Sequence, residues 1–565
     1  MGMRAAVDLS DLIGTAADVS TAVADAVRPP GATAAASGGV AYDGASKVDR
    51  LARWQPAIRS ADAEILPEKQ NLDARARDTI RNDAFVSGGA DIYRDSIVGS
   101  RYQLNARPET KVLWGKEDAK WEEEFQEETE TKFMLWGESQ QKWSDAARIN
   151  TFTAQVRLGV CTFFGGGEIL ASAEWMPADG RPYRSAVQMI DPDRLSTPMD
   201  KLMQDWSRIR NGVERDRRGA PIAYHIRNSH PNDGPYHDFS SLSDMNWTRV
   251  PARNRWGRPM VLHVYEQDRP DQSRGVSDIV SALSEMRMTK HFRRTELERA
   301  VVAASYAASV ESEIPDDVLA ALGGQPPEGN ATVEWMTAYL DAIAAYNSNA
   351  TNLHMDGAKI PVFAPGTKLK IQNTGATGPL GDKYEQSLLR YIAAALGLSY
   401  EQFSRDFTQT NYSSARASIG ETQKGMNAKK AIAADGVANF IYRLWLEEAI
   451  NKNDLECLKR KNVPLFYEGL NAEAYCACEW IGAGQGQIDP LKETQAAVLK
   501  VKSGFSTKEA EIAKMSGGDY RRVARQIQRE RELDSFYGNP SIYDSTDTKD
   551  MENSLSATPR EGEAA

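Results

Sequence analysis

The spacing of apolar residues changes twice along this chain. From about residue 51 to 143 it is helical, with one extended piece at 101–105 whose polar and apolar side chains alternate as in a half-buried strand. Between about 150 and 270 the apolar runs are shorter and are separated by turn residues, which predicts β-strands, among them 220–226 and 260–264. Beyond this part, long helical windows return. The whole pattern predicts an α+β protein.

The first of three long helices predicted after the β-rich part carries a mixed stripe. Ile279, Leu283 and Met286 recur at helical spacing, and the same face meets Lys290 and Arg294 before apolar residues return. A helix that leaves one core and enters another, with its charges in water, explains this stripe. A helix whose middle faces a neighbouring subunit or a water-filled channel explains it equally well.

The second helix has clear end signals. Asp382 is suited to cap its free amides, with Glu385 reaching back, and Gly397 is expected to end it. One predicted face consists of Tyr384, Leu388, Tyr391 and Ala395. The opposite face consists of Lys383, Gln386 and Arg390.

The third helix is unusually long. It begins near Ser413 or Ser414 and its apolar spacing continues to about Ile450. At 1.5 Å per residue such a helix spans roughly 50 Å, which is more than the diameter of a small domain. Gly420 and Gly425 offer places where it can bend, so a kinked helix is expected.

The segment between the second and third helices, residues 399–413, is polar and aromatic and contains neither Gly nor Pro. It is long for a helix connection, and such loops are often functional, although an ordered surface loop is the alternative. Both ends of the chain have a different character. Residues 1–46 end in a low-complexity run and are expected to form a disordered arm, and the polar tail 536–565 is expected to be disordered as well.

The charge and the cysteine content limit the classes of function. A net charge of −11 argues against a protein that grips nucleic acid over its whole surface, although DNA can pass close by if the contacts are few and weak. Four cysteines are too few for a disulfide scaffold and fit a reducing cytoplasm. The N-terminal residues lack the apolar core of an export signal, and the apolar stretch 301–310 is too short to cross a membrane.

No motif predicts a metal, cofactor or catalytic site. The six histidines have no metal-binding helical spacing, and those at 225, 230 and 237 are expected to be surface residues. Cys476 and Cys478 have no second pair nearby and are expected to be structural. The glycine run 482–486 fails the dinucleotide pattern, and neither a Walker-type phosphate loop nor a nucleophile elbow is present.

Two charged segments remain. The acidic run 122–130 can in principle bind cations, but a solvated helix face is the favoured interpretation. A helix across 519–534 places Arg522, Arg525 and Arg529 on one side. This basic cluster is suited either to DNA or to the carboxylates of a neighbouring subunit.

Three stretches of the chain belong together as an ordered set. They are residues 91–104, residues 396–426, which contain Tyr-Ser-Ser-Ala-Arg at 412–416, and residues 480–493. The set resembles the portal proteins of tailed bacteriophages, specifically the lambda family, in which the corresponding segments are an early helix-to-strand segment, the start of a long helix and the start of a C-terminal helix. The run 396–426 is strongly similar, and the likeness runs in order from about 47 to 535.

The resemblance implies a portal fold, in which a mixed α/β wing, two stem helices flanking an α/β clip, a long kinked helix and a helical crown-like region form a ring subunit. The ring usually has twelve subunits. Mapped by order, the chain divides into a disordered arm (1–46), wing (47–275), first stem helix (276–309), clip (310–377), second stem helix (378–398), channel loop (399–413), long kinked wing helix (414–450), crown-like region (451–535) and disordered tail (536–565).

The resemblance also implies the function. Such a ring stands at one capsid vertex in the virion, conducts double-stranded DNA during packaging and ejection, and initiates procapsid assembly in the host cytoplasm. Its implied partners are the terminase large subunit, which supplies the ATP-driven motor, head–tail adaptor proteins, the major capsid protein and scaffold. The chain itself is then not an enzyme. The alternatives are a metal-dependent DNA-processing enzyme that uses the scattered carboxylates, and a scaffold or adaptor without a pore.

A loop that touches moving DNA is expected to make weak polar contacts, because strong ion pairing traps phosphates. The candidate channel-loop residues are Gln402, Ser404, Arg405, Thr408, Gln409, Thr410, Asn411 and Tyr412. Asp406 is expected to offset the charge of Arg405 in part. The candidate basic residues of the stem are Lys290, Arg294, Lys383 and Arg390.

Overall fold

The architecture, taken from a computed structural model, combines helices with small antiparallel sheets. The residues from Ser60 onward form one compact unit. The structure describes residues 53–54, 56–177, 179–198, 201, 208–230, 246–305, 337, 341, 353–355, 358–360, 380–408, 412–459, 462–486, 489–539 and 543. The expected arm (1–46) and nearly all of the expected clip (310–377) and tail (536–565) therefore lie outside the described residues.

Helices with well-defined caps precede the β-rich part. At the starts of three helices, the side chains of Ser60, Asp83 and Thr151 accept hydrogen bonds from backbone amides. The last of these helices ends at Gly167, which has a φ of +74°. The helices are α1 (Ala61–Ile65), α2 (Lys69–Asn82), α3 (Ala84–Ile97), α4 (Thr110–Trp114), α5 (Ala119–Gly137) and α6 (Phe152–Gly166).

The strands pair into four antiparallel sheets within the described residues. They are β1 (Gln103–Ala106), β2 (Glu168–Trp175), β3 (Ser185–Ile190), β4 (Ile209–Arg210), β5 (Val213–Arg215), β6 (Pro221–Arg227), β7 (Trp247–Pro251), β8 (Val261–Tyr265), β9 (Leu353–Met355), β10 (Ala358–Ile360) and β11 (Cys478–Ile481). The orders are β3-β2-β8, β4-β5-β6-β7, β9-β10 and β1-β11. The predicted strands at 220–226 and 260–264 are confirmed as β6 and β8.

The strand predicted at 101–105 is present as β1, but it is not half-buried. All four of its residues are buried, because it pairs with the distant strand β11 and is covered on its polar side as well. The amide group of Gln103 donates to the Gly517 carbonyl at 2.9 Å, and that of Asn105 donates to Glu509 at 2.7 Å. The polar positions of the alternation therefore face other parts of the chain instead of water.

The remaining helices follow the β-rich part. They are α7 (Leu283–Ser305), α8 (Leu380–Ala395), α9 (Tyr400–Ser404), α10 (Tyr412–Lys429), α11 (Asp435–Asn451), α12 (Glu456–Lys459), α13 (Asn471–Cys476), α14 (Pro490–Lys502), α15 (Lys508–Ser516) and α16 (Tyr520–Tyr537). Short 3-10 turns span Pro192–Arg194 and Asp278–Ala282. The main core is centred on α11, where the fully buried Trp445 lies with its ring centroid 5.3 Å from that of Phe133.

The predicted third helix is helical throughout, but its irregular turn is not at the predicted glycines. Helix α10 runs unbroken through Gly420 and Gly425, and a π-helical turn, Lys430–Ala434, separates it from α11. A side-chain carbon added at either glycine would meet nothing within 4 Å, so no packing bends the helix there. The irregular turn occurs where the helix passes from a mostly exposed to a buried environment.

The start of the second predicted helix needs correction. It begins at Leu380, so Asp382 lies inside its first turn and is not its cap. Tyr384 and Tyr391 of the first predicted face are exposed. The buried residues are Leu389, Ile392, Ala393 and Leu396. The expected stop at Gly397 is confirmed by its φ of +65°.

A buried ionic network joins α2, β2, β8 and the segment before α7. Glu168 is completely buried and lies 3.3 Å from the ammonium of Lys69 and 3.1 Å from Nε2 of His263. Arg274 donates to both oxygens of Glu168, with its Nε at 3.0 and 2.9 Å. Burial alone would raise the pKa of Glu168, but the charges of Arg274 and Lys69 hold this pKa well below its usual range.

Arg274 also ties the two larger sheets to this junction. Its guanidinium donates to three backbone carbonyls, those of Pro192, Leu195 and Asn211, at 2.9 to 3.1 Å. The chain next to it is tightly packed, since a side-chain carbon added at Gly275 would lie 2.1 Å from the Gly167 carbonyl oxygen. The position and direction in which the chain leaves the sheets towards α7 are therefore fixed by polar contacts and by close backbone packing.

Replacing Arg274 by Met is expected to lower the free energy of unfolding by about 3–5 kcal/mol, because Glu168 would remain buried with too little compensating charge. Urea-induced unfolding of the purified chain, followed by circular dichroism, measures this loss. The matched control is Arg269→Met, which removes an exposed ion pair with Glu64 and should cost under about 1 kcal/mol. Equal losses in the two variants would contradict the role assigned to the network.

Candidate channel surface

The two predicted stem helices contact each other directly. Nε of Arg293 on α7 donates to the Glu385 carboxylate on α8 at 2.6 Å, and the rings of Phe292 and Tyr384 lie 5.5 Å apart. The guanidinium of Arg293 also stacks 4.2 Å above the ring of Phe85 on α3. Glu385 therefore serves as an interhelical partner, and it does not form the predicted capping box.

The four candidate basic residues of the stem are all exposed. Lys290 donates to the Asn82 carbonyl at 2.9 Å, and Arg294 pairs with Glu298 at 2.9 Å one turn along α7. Arg390 lies 4.9 Å over the ring of Tyr400. Lys383 is exposed at the beginning of α8. The basic band on α7, Lys290 and Arg294, is thus exposed in the single chain.

The first part of the predicted channel loop is folded. Ser399 accepts the amide of Gln402 at 3.3 Å and so caps the short helix α9. Phe403 is buried and lies 5.8 Å from the ring of Phe85, while Ser404 donates back to the Tyr400 carbonyl. Sequence reasoning missed this anchor, although the Ser-x-x-x-Phe spacing is a usable signal. The exposed part of the loop therefore begins after Ser404.

A tight turn follows α9. Arg405 is exposed and has a φ of +58°, which is unusual for a residue other than glycine. The Asp406 carboxylate accepts both the amide and the hydroxyl of Thr408, at 3.1 and 2.6 Å, and these hydrogen bonds lower the pKa of Asp406. Asp406 therefore shapes the turn, while the side chain of Phe407 is half exposed.

The remaining candidate loop residues fall at the edge of what is described. Gln409, Thr410 and Asn411 lie outside the described residues, and Tyr412 is described only as the first residue of α10. The Ser418 hydroxyl on α10 donates to the Glu401 carboxylate at 3.3 Å. The folded first part of the loop is thus tied to the long helix that follows it.

The basic cluster on α16 is directed partly towards the chain's own acidic helix. Arg525 pairs with Glu127 on α5 at 3.0 Å, and Arg522 contacts the sulfur of Met134 at 2.8 Å. Arg529 is exposed. At least part of this cluster therefore serves packing within the subunit, so only Arg529 among the three is left for an outside contact without rearrangement.

The acidic run is correspondingly not a plain solvated face. Glu128 accepts the amides of Glu456 and Cys457 at 2.8 and 3.1 Å and thereby begins α12. Glu130 is half-buried and accepts the Ala106 amide of β1 at 3.0 Å. Burial raises the pKa of Glu130 to about 7. The periodicity was compatible with a solvated face, but tertiary contacts of distant segments decide the role of these carboxylates.

The histidines need correction in the same way. His225 on β6 is buried beside Glu214, with 3.4 Å between Nε2 and the carboxylate, so it is not a surface residue. His230 lies 3.3 Å from Asp193 and 3.9 Å from Asp191, which places three potential metal ligands together. His237 lies outside the described residues.

An arginine side chain also contacts this group of three. The guanidinium of Arg77 contacts both carboxylates, approaching Asp191 to 3.5 Å and Asp193 more closely still. The positive charge that a metal would bring is thus supplied by a side chain. The group joins α2 to the turn after β3.

The cysteines and the glycine run have structural roles. Burial raises the pKa of Cys457 and of Cys478 to about 12, so both thiols stay protonated at neutral pH. A side-chain carbon at Gly482 would lie 2.3 Å from the Ile97 carbonyl oxygen, and one at Gly484 would lie 2.7 Å from the Gly517 amide. The glycine run therefore allows close backbone packing.

The comparisons with known proteins establish the family. The family model of the phage portal protein, lambda family, matches residues 47–429. The chain is 35% identical over 486 residues to portal protein B of Escherichia phage lambda, covering 85% of this chain and 87% of that protein. It is 34% identical over 500 residues to the portal protein of Escherichia phage N15, covering 87% and 90%. The chain belongs to the lambda family of phage portal proteins.

Two more distant likenesses are found as well. A probable portal protein of Halomonas phage phiHAP-1 is 22% identical over 499 residues, covering 87% of this chain and 86% of that protein. The neck of an empty gene transfer agent particle aligns with 79% of this chain and 92% of that chain, at 11% identity and a TM-score of 0.42. Because the TM-score is this low, the likeness says nothing about the number of subunits.

Membrane insertion is not indicated by the helices. In the parts of the chain that the structure describes, no helix combines the length and the apolar composition needed to cross a bilayer.

The variant Glu130→Gln is expected to gain stability over the native chain as the pH rises from 5 to 8. The raised pKa means that the folded chain holds a proton on Glu130 below about pH 7, while the unfolded chain releases it near 4.5. Charging Glu130 therefore destabilises the folded chain at pH 8, by up to about 3 kcal/mol. Unfolding curves of both proteins at several pH values measure the difference, and parallel pH profiles would contradict it. Glu123→Gln, at an exposed position of α5, is the control.

Proposed function

We propose that this chain assembles into a closed ring of twelve subunits whose axial hole conducts double-stranded DNA at one capsid vertex, during packaging and again during ejection. Membership of the portal family carries this proposal. As a ring the protein also initiates procapsid assembly, in contact with scaffold and major capsid protein. It assembles in the host cytoplasm and remains in the virion.

The exposed apolar residues of the stem helices support a ring. Met288, Leu297 and Val301 on α7 and Tyr384 and Tyr391 on α8 are each at least half exposed in the single chain. Large apolar side chains repeated along two contacting helices favour burial against another protein surface. Neighbouring subunits in a ring provide that surface. The apolar positions of the interrupted stripe on α7 are then buried against a neighbour, and its charged positions remain exposed to solvent.

The division of the chain follows the order of the family's parts. The wing spans 47–275, the stem helices 276–309 and 378–398 flank the clip at 310–377, and the long helix at 414–450 leads into the crown-like region at 451–535. Helices α7 and α8 lie inside the two stem ranges. The clip is the docking site for the terminase large subunit, and head–tail adaptor proteins bind the completed ring.

The channel loop makes weak contacts with passing DNA. Its described exposed part offers the single cation of Arg405 together with the polar Thr408 and the ring of Phe407. Each contact with a phosphate releases counterions and adds affinity, so a loop rich in cations would hold DNA in place. A sparsely charged loop in a chain with a net charge of −11 lets DNA slide.

The chain supplies no chemical energy for this movement. Its family is structural, and its sequence holds no phosphate-binding loop of the Walker type. The terminase motor therefore drives packaging, and the portal acts as conduit and docking ring.

The proposal predicts that the purified chain forms rings with an axial hole. Negative-stain electron microscopy shows their shape, and native mass measurement should give about twelve times the chain mass of 62.4 kDa. A stable monomer that forms no ring under any condition would contradict the proposal. A ring-free complex with other capsid proteins would favour the scaffold alternative, and metal-dependent cleavage of DNA would favour the enzyme alternative.

A matched pair of variants tests whether the stem faces carry the assembly. Leu297→Glu places a charge at an exposed apolar position of α7 and should abolish rings while leaving the melting temperature of the single chain unchanged. Thr295→Glu adds the same charge at an exposed polar position of that helix and should leave rings intact.

Replacing Phe407 by Arg is expected to slow DNA packaging several-fold at low ionic strength, with recovery as salt is added, because the new cation on each subunit binds phosphate. Packaging with purified terminase and ATP, measured as nuclease-protected DNA over time, gives the rate. Phe407→Ser removes the ring without adding charge and should package at nearly the native rate. Equal rates for the Arg variant at all salt concentrations would exclude contact between this turn and DNA.

A further inference from the structure

A cleft of about 740 Å³ lies beside the edge strand β4 and the turn between β5 and β6. Its described lining residues include five arginines, namely Arg208, Arg210, Arg215, Arg217 and Arg218. Asp216 and Asp271 oppose them in the described lining, and the buried Asp62 adds a third carboxylate because it pairs with Arg210 and Arg215, so two of the five positive charges remain unmatched. The chain as a whole has a net charge of −11, so the charge of this lining has the opposite sign to the charge of the chain.

Two of the arginines already hold a carboxylate. Arg210 pairs with the buried Asp62 at 2.9 Å, and Arg215 lies 3.6 Å from the same carboxylate. Arg215 is fixed further, because it donates to the Gly219 and Asp271 carbonyls at 2.8 and 2.9 Å. The inner wall of the cleft is therefore a rigid arrangement of guanidinium groups that is compatible with carboxylate binding.

The outer wall of the cleft is the turn between β5 and β6, which carries Arg217 and Arg218. The Asp216 carboxylate accepts the amides of Arg218 and Ala220, each at 2.8 Å, and these hydrogen bonds lower the pKa of Asp216. Asp216 thus stabilises the turn. Arg217 and Arg218 are exposed, and within the part of the chain that the structure describes neither forms an ion pair.

We propose that this cleft is a docking site for a carboxylate-rich segment of another protein. Guanidinium groups bind carboxylates through charge-assisted hydrogen bonds, and Arg210 already makes one such contact with Asp62 within the cleft. The volume is that of a pocket for a few side chains, whereas duplex DNA is bound over an extended basic surface. Ile222, which is partly exposed in the lining, adds an apolar contact and favours a segment that mixes acidic and apolar residues.

The test uses the full-length chain and a short fluorescein-labelled peptide of alternating glutamate and leucine, with binding followed by fluorescence anisotropy. The double variant R217S/R218S should bind this peptide about tenfold more weakly than the native chain, because two charge-assisted contacts are lost. The affinity of the native chain should fall with added salt. A peptide with lysine in place of glutamate should not bind.

Controls separate the cleft from general electrostatics and from ring assembly. R81S/R255S removes two exposed arginines elsewhere and should bind the acidic peptide within about twofold of the native chain. Both double variants should still form rings. Ring formation and peptide binding are measured separately, so a failure of the ring proposal can be distinguished from a failure of the docking site. Unchanged peptide binding in R217S/R218S would overturn the docking site. Duplex DNA that binds the native chain through these two arginines, with no peptide binding, would assign the cleft to nucleic acid instead.

Discussion

The buried ion pair between Glu168 and Arg274 is the constraint on which the rest of the subunit depends. It stands where helix α2, the two larger sheets and the beginning of α7 meet. A buried ion pair adds little net stability compared with an apolar replacement, but it tolerates only one geometry. Its contribution is therefore to orientation, since it fixes the direction in which the chain leaves the two larger sheets towards α7.

The subunit is unevenly packed, and this unevenness matches a ring component. Helix α11 has a dry, aromatic environment around Trp445, whereas α10, α14 and α16 bury very few side chains. The long helix changes from one condition to the other at its π-helical turn. Such a chain has a well-packed core around Trp445, and the exposed surfaces of α10, α14 and α16 are available for contacts with further copies or partners.

The sequence predicted the local features of this fold better than the distant ones. The presence of the long helices and of the strands β6 and β8 follows from periodicity, which is a local property. The sequence did not show which face of α8 is buried, because tyrosine is suited to either environment, and tertiary packing selects the face around Leu389 and Ile392. The bonds of Glu128, Glu130 and Asn105 join segments far apart in sequence, so no spacing rule reveals them. Of the candidate channel loop, the polar character was evident from sequence, whereas the folding of its first part as α9 was not.

The pairing of β1 with β11 has a consequence for the order of events in the cell. The two strands, at residues 103–106 and 478–481, come from the first and last fifths of the chain. Loop-closure entropy must be overcome before such a contact forms, and the ribosome must already have released the second strand. The hydrophobic centre of a nascent subunit thus stays incomplete until synthesis is nearly finished. Translation itself then delays the completion of the fold, because a truncated chain lacks the partner strand of β1.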